Sequence, residues 1–137
     1  MSTTKTVDLI ILVDDHYPTN LLHRIIIEES NIAEKIHEFT EPKKAIEYLK
    51  SISNDSFENR AILFLDINMP GMTGWEFLDE YDKIQKEKKL NIEIVMLSTS
   101  NHPRDLKMAE ANQWVKDYIP KPLCHEALIS TVERLLF

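Results

Sequence analysis

The sequence predicts an α/β fold: a five-stranded parallel sheet with helices on both faces. Two observations lead there. Five short stretches of branched apolar residues alternate with five segments whose apolar residues recur at helical spacing, and most links between them are short. The first and third stretches, VDLIILV and AILFL, are near-continuous apolar runs, as strands buried on both faces are.

The elements follow in order. Val7–Val13 is the first strand and stops at Asp14-Asp15. Pro18 and Thr19 open the first helix, with Leu21, Leu22, Ile25, Ile26 and Glu29 at helical spacing. A weaker second strand spans Ala33–Phe39. Thr40-Glu41-Pro42 reads as a helix start, Thr40 as cap and Pro42 in the first turn, and Ala45, Ile46 and Leu49 form that helix's apolar face. Residues 51–60 are polar and loop-like. The third strand, 61–65, stops at Asp66, and 67–74 (INMPGMTG) is the next loop. Trp75, Phe77, Leu78, Tyr81 and Ile84 mark the third helix. It fades into a solvated end where Lys83, Lys86, Lys88 and Lys89 oppose the helix macrodipole. The fourth strand, 92–97, ends in Ser98-Thr99-Ser100. Pro103 opens a fourth helix carrying Leu106, Met108, Ala109 and Ala111. The fifth strand, 115–119, is followed by Pro120-Lys121-Pro122, and the last helix lines up Leu128, Val132, Leu135 and Leu136.

Composition narrows the function. The 137 residues predict a single domain over 1–137, its core at about 7–136, with no output domain. With 16 Lys+Arg against 23 Asp+Glu, the net charge of −7 disfavours direct nucleic-acid binding. No apolar run approaches the roughly 18–20 residues of a membrane span, and the first six residues carry no secretory apolar region. The single cysteine, Cys124, excludes an internal disulfide and predicts a reducing, cytoplasmic setting. Cys124, Trp75 and Trp114 read as packing residues, His16 as an exposed loop residue, and His102 as a helix-start residue. His125 is expected to face solvent or the groove beside the last helix.

In open parallel sheets, ligands bind beyond the carboxyl ends of the strands, where strand order reverses. The strand-end residues are Asp14 and Asp15, Asp66, Ser98 and Lys121. With the order 2-1-3-4-5, strands 1 and 3 lie about 5 Å apart and three carboxylates converge. Like charges raise one another's pKa, and a hard divalent cation relieves the conflict. Mg²⁺ suits two or three oxygen ligands plus retained water. A lone strand-end aspartate is better read as a helix cap; three acids, a hydroxyl and a lysine at successive strand ends read as a site. The chain's two glycines, Gly71 and Gly74, lie within eight residues of Asp66. Glycine serves where backbone takes positive φ or comes close to another group, with a plain Pro-Gly turn as the alternative.

Together, Asp14-Asp15, the run from Leu65 to Gly74 (LDINMPGMTG), Ser98 and Lys121-Pro122 resemble the receiver domain of bacterial two-component response regulators. The resemblance is to the stand-alone chemotaxis-receiver-like type and extends from about Val7 to Leu136. It implies a flavodoxin-like (βα)5 three-layer sandwich of order 2-1-3-4-5. Asp66 is implied as phosphoacceptor, becoming an aspartyl phosphate. The Mg²⁺ ligands would be Asp14, Asp15, Asp66 and the backbone carbonyl of Asn68, with Asp15 direct and Asp14 acting through water or as a proton-handling neighbour. Lys121 would pair with phosphoryl oxygens and Ser98 would hydrogen-bond one of them. Tyr118 matches the aromatic whose rotamer follows phosphorylation, and the Lys121-Pro122 bond is often cis. The implied phosphodonor is a sensor histidine kinase or histidine phosphotransfer domain. The implied output surface is helix 4, strand 5 and helix 5, engaging a downstream protein, and the domain is not an enzyme in the ordinary sense. Ser98 departs from the commoner Thr, and Thr99 from the commoner small residue. The alternative is a pseudo-receiver, a protein-interaction module that works without phosphorylation. An aspartate-based phosphatase would want a second carboxylate where Asn68 stands.

Overall fold

The computed structural model describes residues 6–53 and 61–136. The elements are β1 (Val7–Val13), α1 (Tyr17–Ser30), β2 (Ala33–Phe39), α2 (Pro42–Ser51), β3 (Ala61–Asp66), α3 (Gly74–Lys88), β4 (Ile92–Ser98), α4 (Pro103–Ala111), β5 (Val115–Pro120) and α5 (His125–Leu136). Of the segment expected to be a loop, Ser51 instead ends α2, and 54–60 lie outside the described residues.

All strand pairs are parallel, in the order β2-β1-β3-β4-β5 that the sequence predicts. Val13 pairs with Leu65, Asp66 with Leu97, and Ser98 with Pro120, which brings the carboxyl ends of four strands to one rim. The period-2 alternation of each strand builds two cores. Leu9, Ile11, Val13, Leu63 and Met96 face Leu49 of α2 and Phe77, Leu78 and Tyr81 of α3. Ile10, Leu12, Phe64 and Val95 face Ile27 of α1 and Leu128 and Val132 of α5. Each such side chain contributes about 1.5–3 kcal/mol on burial. Among the described residues, no helix is long and apolar enough to cross a membrane.

Several local expectations are corrected. On α1, Leu21, Leu22 and Ile25 are 40 to 45% exposed, and the buried residues are Asn20, His23 and Ile27. The helix begins against the polar strand ends, whose backbone carbonyls require donors, so a polar turn faces inward there and apolar contact with the core starts at Ile26 and Ile27. The cap of α2 is Glu41 through its extended backbone, without a side-chain bond; Thr40 does not cap it. Cys124 is exposed, and its neighbour Leu123 takes the buried place. On α4 the one buried residue is Ala109, while Leu106 and Met108 are exposed. Lys88 leaves the solvated cluster to donate to the Ile52 carbonyl at 2.9 Å. Lys83 and Lys86 pair with Glu80 and Asp82 on the surface of α3. His102 caps α4, accepting from the Arg104 N–H, and Trp75 and Trp114 pack against the α2–α3 core.

Candidate functional site

The rim collects side chains from four strand ends. Asp14 and Asp66 are buried, 5% and 8% exposed, and Asp15 is exposed. One carboxylate oxygen from each lies within 4.8 Å of the others. Lys121 Nζ donates to Asp14 Oδ2 at 2.5 Å and lies 3.0 Å from Asp66 Oδ1. Asp14 Oδ1 accepts the His16 N–H at 2.9 Å. Burial pushes the Asp66 carboxyl above its ordinary pKa, the charges of Asp14 and Asp15 add to this, and Lys121 opposes it. Burial lowers the Lys121 ammonium, but its bonds to Asp14 and Asp66 outweigh that and raise it.

The two glycines do different work. Gly71 sits at φ +83°, the left-handed turn that Pro-Gly announces. Gly74 lets backbone come close: a Cβ there would stand 2.6 Å from the Asp66 carbonyl oxygen and 3.0 Å from Ile67 Cα. Its N–H donates to Ile67 O at 2.7 Å, folding the loop back under Asp66. Asn68 lies exposed on that loop. Asp15 lines an open cleft of about 420 Å³ with Thr40, Pro42, Pro70 and Met72 among others.

On the other side of Asp66, Ser98 is buried at the end of β4, and its carbonyl accepts the Lys121 N–H at 3.0 Å. Its Oγ accepts the Ser100 N–H at 3.0 Å. The partly buried Tyr118 donates its hydroxyl to Ser100 O at 2.8 Å. The Lys121-Pro122 bond is cis. A family model described as response regulator receiver domain matches residues 10–133.

The chain belongs to the response regulator receiver family. This receiver is 30% identical over 128 residues to the probable methanogenesis regulatory protein FilR2 of Methanothrix harundinacea (strain 6Ac), covering 93% of this chain and 80% of that protein. It is 32% identical over 118 residues to the nitrate/nitrite response regulator protein NarL of Escherichia coli (strain K12), covering 83% of this chain and 50% of NarL, so it spans half of that relative's length. A solved two component response regulator from Cytophaga hutchinsonii superposes with a TM-score of 0.83 at 33% identity, covering 95% of this chain and 97% of that one.

The residues of this receiver fit a hard divalent cation. Three carboxylates face one ammonium, which leaves an excess of negative charge, and the donors are all oxygen, two of the three acids being buried. His16 is exposed, with Nδ1 2.7 Å from Thr19 Oγ1 rather than in the cluster. His125 is exposed and lies between Glu29 and Ser30 of α1.

Four residues were not foreseen from sequence. Thr73 and Glu76 close a reciprocal capping box at the start of α3, which a Thr-x-x-Glu pattern announces. Asn20 and His23 carry no such local signal, because a polar residue within a helix reads as solvent-facing. Asn20 Nδ2 donates to the carbonyls of Asp14 (2.9 Å) and Phe39 (3.2 Å), tying α1 to the ends of β1 and β2. His23 accepts from the loop that bears Lys121.

Proposed function

We propose that this receiver accepts a phosphoryl group on Asp66 from a phosphohistidine of a sensor histidine kinase or histidine phosphotransfer domain, with Mg²⁺. The observation that carries the reading is the Asp66 carboxylate held between two further acids and the Lys121 ammonium. Phosphoryl transfer asks for a positioned nucleophile and compensation of charge on the equatorial oxygens. An Asp66 oxygen attacks phosphorus; the P–O bond forms as the donor's P–N bond breaks, and the freed imidazole keeps the electron pair. Lys121 would bond the incoming oxygens. Asp14, Asp15, Asp66 and the Asn68 carbonyl would hold the Mg²⁺, which when bound supplies the remaining charge compensation.

Ser98 accepts from the Ser100 N–H and keeps its own proton to give to a phosphoryl oxygen. A shift of Ser98 would draw on Ser100, whose carbonyl holds the Tyr118 hydroxyl. That chain of bonds supports α4, β5 and α5 as the surface read by a downstream protein. Tyr17, Leu21, Leu22 and Ile25 are exposed on α1, the helix that follows the Asp14-Asp15 strand end. This supports docking of the phosphodonor there.

Intact-mass measurement after incubation with acetyl phosphate and Mg²⁺ tests the assignment. The native chain should gain one phosphoryl group and Asp66→Asn none. An unlabelled native chain, or equal labelling of both, overturns it and leaves the phosphorylation-independent interaction module.

A further inference from the structure

His23 is 1% exposed on the inner face of α1 and takes no direct part in the chemistry above. Its Nε2 accepts the Leu123 N–H at 3.2 Å. An imidazole nitrogen that accepts carries a lone pair, so the ring is the neutral tautomer with its proton on Nδ1. Burial holds the His23 pKa below its ordinary value; nearby Asp14 opposes this and Lys121 adds to it. The ring therefore stays an acceptor at neutral pH.

The contact falls on the short link before α5, where the Leu123 side chain is itself packed in the core. Residues 121–124 link β5 to α5 and bear Lys121. Pro122 has no N–H. The Lys121 N–H is held by Ser98 O and the Leu123 N–H by His23. One turn earlier on the same helix face, Asn20 holds the Asp14 carbonyl. The inner face of α1 thus grips both backbones whose side chains meet in the Asp14–Lys121 ion pair.

We propose that His23 is a positioning residue, which fixes the Leu123 amide and thereby sets the Lys121 ammonium between Asp14 and Asp66. The proposal rests on the phosphoacceptor reading for its catalytic consequence, but not for its structural one. A buried apolar side chain of similar size would fill the same space without the acceptor, so burial alone does not account for histidine here.

Two variants separate the roles. His23→Leu fills the space and removes the acceptor; His23→Gln keeps an acceptor near the Nε2 position. Asp66 labelling by acetyl phosphate should slow about tenfold or more in His23→Leu, as small displacements of a charge-compensating group do, and recover in His23→Gln. Independently of phosphorylation, amine-specific acetylation read by mass spectrometry should modify Lys121 several-fold faster in His23→Leu, with Lys44 and Lys83 unchanged as exposed references. Again Gln should restore the native rate. Native Lys121 reactivity in His23→Leu overturns the proposal. So does a loss in both variants that tracks melting temperature. If the native chain takes no phosphate while Lys121 reactivity responds as expected, the phosphoacceptor reading falls and the positioning role stands.

Discussion

Asp66 occupies an unfavourable place for a carboxylate in the metal-free chain. Burial and the neighbouring acids raise its pKa more than Lys121 lowers it. An acid whose folded-state pKa is raised contributes stability below its unfolded value, near the ordinary 3.8. That contribution is lost as pH rises through the folded value. With chelator present at pH 7, Asp66→Asn should therefore melt above the native chain, by roughly 2–4 °C for each kcal/mol relieved. The gap should close as pH falls toward the ordinary carboxylate range. An Asn variant that melts lower at pH 7 without metal would mean that the Lys121 pairing dominates. Gly74 belongs to the same small volume: contact with the Asp66 backbone leaves no room for a side chain, so the loop that turns under the acceptor needs glycine at that point.

Among the elements, α1 carries the most contrasting faces. Inward it offers Asn20, His23 and Ile27; outward it offers Tyr17, Leu21, Leu22 and Ile25. If the outward face docks the phosphodonor, Leu21→Ser with Ile25→Ser should slow transfer from a phosphorylated histidine phosphotransfer domain by about tenfold, equivalent to about 1.4 kcal/mol of lost contact. Labelling by acetyl phosphate should be unchanged, because the small donor needs no docking face. Equal slowing with both donors would place the damage in the site itself. The periodicity of α1 was legible, but the direction of its faces was not. An apolar stripe usually marks the core side of a helix, and here it marks the outer side because the inner side meets strand-end carbonyls at Asn20 and a loop N–H at His23. On α3 the local signals agreed with the packing, and Phe77, Leu78, Tyr81 and Ile84 are buried as their spacing predicts.

For the whole molecule, a cation bound at the acidic rim would couple ligand binding to stability. A cation that binds the folded rim and not the unfolded chain raises stability by mass action, about 2.7 kcal/mol at a hundredfold excess over Kd. Mg²⁺ should then raise the melting temperature on the order of 10 °C. Asp15→Ala should abolish the rise without loss of fold, since Asp15 is exposed. A native chain that melts identically with Mg²⁺ and with chelator would remove the metal from the reading.

The sequence by itself determined the order and kind of the elements and the residue at each strand end, because strand alternation, helical spacing and turn chemistry are written in windows of a few residues. It also placed Asp14, Asp66, Ser98 and Lys121 at one rim once the strand order was taken as 2-1-3-4-5, which the structure has. Tertiary structure alone decided which face of α1 turns inward. It also decided that Lys121 reaches Asp14 across 107 positions of chain and that His23 holds the loop that bears Lys121. Those are distances between remote segments, set by register, crossover and packing, and no short window of sequence contains them.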